Sequence, residues 1–269
     1  MINTDWEQLL ANPGPHGHVA QLYQDEQSCG EAISHFAAEG LLRGESVILT
    51  ATHSNWLNIS RRLRDKGFSL YELFKRGQLT LVDADKCLPK VMADDMPDSR
   101  VFKRLARETI ERARAGGRYP AVRWWGEMVN VLYVNGNKKA SIKLEEYCNE
   151  LIHEESIAVF CSYLMDKYDP QIYDESLGHI CRTHSHLIPT HDYSAHRYAV
   201  DKAVAEVLGP IEGPLLRSLS SWNGGACSGM PSSQATLLWI KDNMPHYFND
   251  VLSRTKLYDG SVNCSGSYS

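Results

Sequence analysis

Apolar positions along this chain follow two rhythms that take turns. Residues 18–23 (HVAQLY) alternate and predict a first strand. Asp25 or Ser28 then caps a helix running to Glu39, with Ala32, Ile33, Phe36 and Ala37 on one face. An apolar run over 46–50, rich in β-branched residues, predicts a second strand, and Trp56, Ile59 and Leu63 give a helix over 54–66. A short helix or turn at 71–75 precedes a compact strand at 78–83 (QLTLVD). Residues 94–98 (DDMPD) form a loop or cap ahead of a helix over 99–115, which Gly116 and Gly117 terminate. Residues 121–125 (AVRWW) read as a strand, and 126–128 (GEM) either end it or begin the next helix. After a break at 135–137 (NGN), Ile142, Tyr147, Leu151 and Ile152 mark a helix over 138–153, followed by a strand over 156–163. Strands alternating with helices in this way predict an α/β fold whose largely parallel sheet is flanked by helices. Ligands of such sheets collect outside the carboxyl ends of the strands, here 50–53, 83–85, 125–127 and 161–163.

The pattern changes after residue 170. Residues 170–197 carry five of the eleven His. A helix over 198–209, a break at 209–214 (GPIEGP), a helix over 214–221 and a glycine-rich stretch at 222–231 follow. A helix over 232–243 carries Leu237, Leu238 and Ile240, and a last helical segment reaches about residue 257. The expected organisation is a polar leader over 1–17, an α/β domain over 18–197, a helical C-terminal region over 198–257 and a flexible tail over 258–269. The C-terminal helices are too short to bury a core of their own. They are expected to dock on the α/β domain or on a second copy through Leu237, Leu238 and Trp239.

Composition narrows the function classes. A net charge of −5 over 269 residues gives no reason to expect direct nucleic-acid binding. The local clusters Arg61, Arg62, Arg64 and Arg112, Arg114 read as solvated helix faces. No apolar stretch approaches the ~20 residues of a membrane span. The N-terminal residues lack the pattern of a signal peptide, so a cytoplasmic protein is expected. Seven Cys without a CxxC pair argue against a disulfide framework.

The strand–loop–helix unit at 46–66 is the setting in which a glycine-rich loop holds phosphates. Its loop, 51–56 (ATHSNW), has neither the glycines that let backbone N–H groups converge on an anion nor a Lys to neutralise it. ATP is therefore not expected, and sensing is favoured over turnover. Glu127 at a strand end is either a site carboxylate with a raised pKa or a helix N-terminal Glu favoured by the dipole. Cys181, His184 and His186 either ligate a soft divalent metal or hydrogen-bond to backbone carbonyls. Cys161 and Tyr163 point to one side of their strand, with Cys148 on the preceding helix. Glu145 and Asn149, four apart, read as solvated helix surface.

Several pieces, in this order and spacing, resemble the MEDS family, the methanogen/methylotroph sensory domain. They are 18–23, 40–45 (GLLRGE), 126–128, 136–137 (GN), 144–149 (LEEYCN), 161–163 (CSY) and 180–189 (ICRTHSHLIP). The resemblance implies a RecA-like fold lacking the phosphate loop. It implies a non-catalytic protein that senses a small molecule, one-carbon or hydrocarbon-like, and relays occupancy to a regulatory partner or through a homo-oligomer, as in transcriptional regulation. The expected ligand-binding residues are His18, Tyr23, Trp125, Glu127, Cys161, Tyr163, His184 and His186, with the His segment folding over the sheet edge as a lid. The rival reading is an enzyme: a metal-assisted hydrolase using Glu127 with His184 and His186, or a cryptic nucleotide hydrolase. Two departures from the family are the paired Trp124 and Trp125 and the lack of a recognisable output module after residue 200.

Overall fold

The computed structural model describes residues 5–188, 193–210, 216 and 230–265. Its contacts divide the chain into two compact units, Met1–Leu164 and Met165–Ser269.

The first unit begins with a short helix, α1 (Asp5–Ala11), and strand β1 (His18–Tyr23). Helix α2 (Glu26–Leu42), strand β2 (Ser46–Ala51), helices α3 (His53–Asp65) and α4 (Leu70–Lys75), and strand β3 (Leu79–Asp83) follow. Helix α5 (Ala84–Val91) leads to a small antiparallel pair, β4 (Met92–Ala93) and β5 (Met96–Pro97). The unit closes with α6 (Ser99–Arg114), β6 (Val122–Gly126), α7 (Met128–Val134), α8 (Lys138–Glu155) and β7 (Ala158–Leu164).

Its five long strands lie in the order β3–β2–β6–β7–β1, every neighbouring pair parallel. β1 and β2 are buried at every position, as strands covered on both faces by helices must be. Side-chain caps fix where the helices start. Asp25, Thr52, Ser69, Asp83, Asp98 and Asn137 each accept a backbone N–H from the first turn that follows. α6 ends through a left-handed residue, and that residue is Ala115 (φ 47°), one position before the expected glycines.

Arg123 is buried on β6. It pairs with Glu45 and donates to the carbonyls of Leu10, Phe36 and Ala11 at 2.8, 3.3 and 2.8 Å. These bonds close the end of α1, so the expected leader contains a helix held by a residue more than a hundred positions away. Gly40 makes room for this side chain, since a Cβ there would lie 2.7 Å from Arg123 Cδ.

Among the described residues, the second unit contains a π-helical turn (Ile172–Ser176), α9 (Leu177–Thr183), a short strand β8 (His186–Ile188), and three longer helices. These are α10 (Tyr193–Leu208), α11 (Ser232–Asn243) and α12 (Pro245–Ser265). α10 is continuous across residue 197, where the sequence pattern placed a domain edge, and α12 enters the expected tail. Ala199, Ala203, Leu237, Ile240, Phe248 and Val251 are buried on α10–α12. The expected helix at 214–221 and the glycine-rich stretch at 222–231 lie almost wholly outside the described residues, as does His191. Among the described residues, no helix is long and apolar enough to cross a membrane.

Candidate functional site

Parallel register sorts the strand residues onto two faces. His18 lies opposite Val159, and Trp124 also lies opposite Val159. Alternation then puts His18, Trp124, Gly126, Val159, Cys161 and Tyr163 on one face, the face α8 covers. Trp125, Tyr23, Phe160 and Ser162 take the other.

On the α8 face a polar cluster is sealed inside the unit. His18 (2% exposed), Glu145 (1%) and Cys161 (2%) converge from β1, α8 and β7. His18 donates Nδ1–H to Asn149 Oδ1 at 2.9 Å, one α-helical turn beyond Glu145. Its Nε2 lies 3.2 Å from Glu145 Oε2 and 3.6 Å from Cys161 Sγ. Cys161 Sγ is 3.6 Å from the same carboxylate oxygen. The Tyr163 hydroxyl donates to Glu145 Oε1. Burial, and then the negative charge of Glu145, push the Cys161 thiol and the Tyr163 phenol well above their ordinary pKa values.

Cys161 also borders an apolar cavity of about 30 Å³ between the sheet and helices α6, α7 and α8. Trp124 and Val159 form its floor, and Phe102, Val129, Leu144 and Cys148 line its walls. That is space for about two water-sized molecules, but the lining offers too few polar groups to hold water. The Trp124 indole N–H is already used, donating to Thr50 Oγ1 at 2.8 Å.

A second polar constellation closes the β2–α3 junction. β2 ends at Ala51 and α3 begins at His53, so Thr52 alone joins them and caps the helix. The Glu127 carboxylate accepts the Thr52 backbone N–H at 2.7 Å, the Thr52 hydroxyl at 3.2 Å, and the Asn55 amide. The Glu127 backbone N–H donates to the Thr50 carbonyl at 3.0 Å. An internal carboxylate thus sits where a helix N-terminus would otherwise meet an anion. Burial raises the Glu127 pKa; the hydrogen bonds from Thr52 and Asn55 oppose that shift without cancelling it.

The family model for MEDS, the MEthanogen/methylotroph, DcmR Sensory domain, matches residues 17–185. The chain belongs to the MEDS family. A search of curated proteins finds no match. The match spans the five-stranded sheet and the buried cluster and ends within the His segment, before His186; at the level of the family this is a sensory domain.

Of the residues expected to bind ligand, His18, Cys161 and Tyr163 meet at one cluster. Trp125 is on the opposite face and donates its indole N–H to Ser162 Oγ at 2.8 Å. Tyr23 is on that face too, and its hydroxyl accepts from Asn130 Nδ2 at 3.1 Å. Burial pushes the neighbouring Cys29 thiol up to about 12. Glu127 lies at the β2–α3 junction, outside the His18 cluster, and its charge adds to burial in raising the pKa values of Tyr23 and Cys29. His184 and His186 belong to the second unit. There His184 is buried and donates Nδ1–H to the Ile180 carbonyl at 2.7 Å, closing α9. His186 is exposed beside Ser185. Among the described residues, Cys181, His184 and His186 do not bring their ligating atoms into a common group.

Sequence reasoning missed Glu145 and Asn149, which it took for solvated surface. The signal was available: Ser141, Glu145, Cys148 and Ile152 repeat at helical spacing, and small or apolar residues on that stripe mark an inward face. It also missed Thr52 and Asn55 as partners of Glu127.

Proposed function

We propose that this MEDS protein senses a small, weakly polar molecule of the one-carbon or short hydrocarbon class, held in the cavity between β6, β7 and helices α6–α8. The observation that carries the reading is the apolar cavity sharing Cys161 with a buried polar cluster. Pockets for small molecules combine an apolar lining with a few convergent polar groups, and this pairing has both. Helix α8 supplies Leu144, Cys148 and Leu151 to the cavity and Glu145 and Asn149 to the cluster. A molecule that fits the cavity in only one position of α8 shifts the protein toward that position. Displacement of α8 is then the signal read by a regulatory partner or a second copy of the chain.

The test is thermal unfolding and native mass spectrometry with a probe series from dichloromethane and methanol up to four-carbon alcohols. Saturating probe at about 100 times its dissociation constant stabilises the fold by about 2.7 kcal/mol. Cys148→Leu fills the cavity and is expected to abolish that gain while leaving the probe-free protein folded. A series in which no probe raises the melting temperature, or a gain untouched by Cys148→Leu, overturns the reading.

A further inference from the structure

We infer that His18 Nε2, Glu145 Oε2 and Cys161 Sγ are three ligands of a zinc-type divalent metal ion. The argument is geometric. Zinc holds imidazole nitrogen and carboxylate oxygen at about 2.0–2.1 Å and thiolate sulfur at about 2.3 Å, in tetrahedral arrangement. Those bond lengths make the edges of the tetrahedron roughly 3.3 Å between nitrogen and oxygen, and roughly 3.6 Å from either to sulfur. The observed separations are 3.2 Å for Nε2 to Oε2, 3.6 Å for Nε2 to Sγ, and 3.6 Å for Sγ to Oε2. All three edges match one face of such a tetrahedron.

The surroundings fit the same ion. Metal-bound imidazoles characteristically donate their other N–H to a carbonyl or carboxylate, which fixes the tautomer that ligates. His18 does this through Nδ1–H to the Asn149 side-chain carbonyl, leaving Nε2 for the metal. Tyr163 holds the remaining oxygen of Glu145, so the carboxylate presents one oxygen and not two. A dication with one carboxylate and one thiolate is neutral overall, which suits a site this deeply buried. The thiol proton leaves to solvent as the metal enters. A mixed nitrogen, oxygen and sulfur set favours zinc or cobalt over magnesium and calcium, which prefer oxygen alone. The fourth position is left to a water, a small anion or a further donor. The inference stands apart from the apolar cavity and needs no occupant there.

The test uses the full chain, freed of metal with a chelator and titrated with Co²⁺ alone. One equivalent per chain is expected, with a near-ultraviolet thiolate charge-transfer band and the strong visible bands of tetrahedral cobalt. Zinc should bleach both. Cys161→Ser removes the thiolate band, and His18→Gln or Glu145→Gln weakens binding by about tenfold or more. Asn149→Ala keeps the thiolate band but lowers affinity, again by about tenfold or more, because the ring is no longer oriented. Cys181→Ser, outside the site, changes nothing. The wild-type spectrum decides the matter even where a ligand variant does not fold. Wild-type protein that takes up no stoichiometric Co²⁺, or a thiolate band that survives Cys161→Ser or disappears with Cys181→Ser, overturns the inference.

Discussion

Glu127 shows how a single carboxylate can be both satisfied and strained. It accepts three hydrogen bonds, from the Thr52 N–H, the Thr52 hydroxyl and Asn55, yet burial still raises its pKa. Removing it with Glu127→Ala leaves the Thr52 N–H and the Asn55 amide without their acceptor, so a loss of about 1–3 kcal/mol is expected by urea denaturation. The pH dependence follows from the sign of the shift. The folded state holds this proton to higher pH than the unfolded chain does, so the stabilisation is complete below the ordinary Glu value. It is lost as pH rises through the raised folded value. Glu127→Gln cannot lose a proton and should flatten that decline; wild-type and variant profiles that run parallel through the mildly acidic range would refute the assignment. The sequence marks Glu127 because it ends an apolar strand. Its mark on Glu145 is weaker, a shared stripe with Ser141, Cys148 and Ile152, offset by the adjacent Glu146 in a helix whose outer face is also charged. What turns Glu145 inward is His18 on a strand 127 positions earlier and Cys161 and Tyr163 on the strand that follows α8, and no local spacing encodes that meeting.

At the scale of elements, what is legible is what is local. Caps such as Asp25 and Asp98 fix helix starts within a residue or two of expectation, although α2 runs three residues past Glu39. α1 was not legible because its closing partner is Arg123, and α5 was masked by Pro89 within it, which removes one helical N–H. Helix α12 illustrates a longer-range tie. Its Asp259 is buried and receives Lys167 at 2.7 Å, His196 at 3.1 Å and the Tyr168 hydroxyl. Burial alone would raise the pKa of this carboxyl; the bonds from His196, Lys167 and Tyr168 outweigh it and hold the pKa far below the ordinary Asp range. A depressed pKa means stabilisation that is present above the ordinary Asp value and is lost as pH falls toward the folded one. Asp259→Ala is expected to cost about 3–5 kcal/mol, because it strands the Lys167 charge in a buried setting. Asp259→Asn should remove the acid-side decline in melting temperature; retention of that decline in the Asn variant would show that other carboxylates cause it.

For the whole molecule, alternation of strand and helix was enough to give the α/β class, since each βα unit announces itself within some thirty residues. The division of the chain was not legible, because the contact boundary at Leu164 and Met165 follows a strand end and no run of linker residues. The fold also decides what the first unit can bind at its β2–α3 junction. A phosphate loop needs several residues between strand and helix, so that successive N–H groups can curl around the anion, and a Lys to neutralise it. Here Thr52 alone spans that junction, and its N–H is committed to Glu127. A triphosphate would have to displace a carboxylate held by three hydrogen bonds and would gain no cation from the loop in return. Calorimetry with Mg-ATP is therefore expected to show no saturable binding at submillimolar concentration, and no phosphate release above the buffer rate. Glu127→Ala frees the Thr52 N–H but supplies neither glycines nor Lys, so it should not create nucleotide binding. A micromolar dissociation constant for the wild-type protein, or hydrolysis that disappears with Glu127→Ala, would instead assign the β2–α3 junction to nucleotide chemistry and Glu127 to its catalytic base.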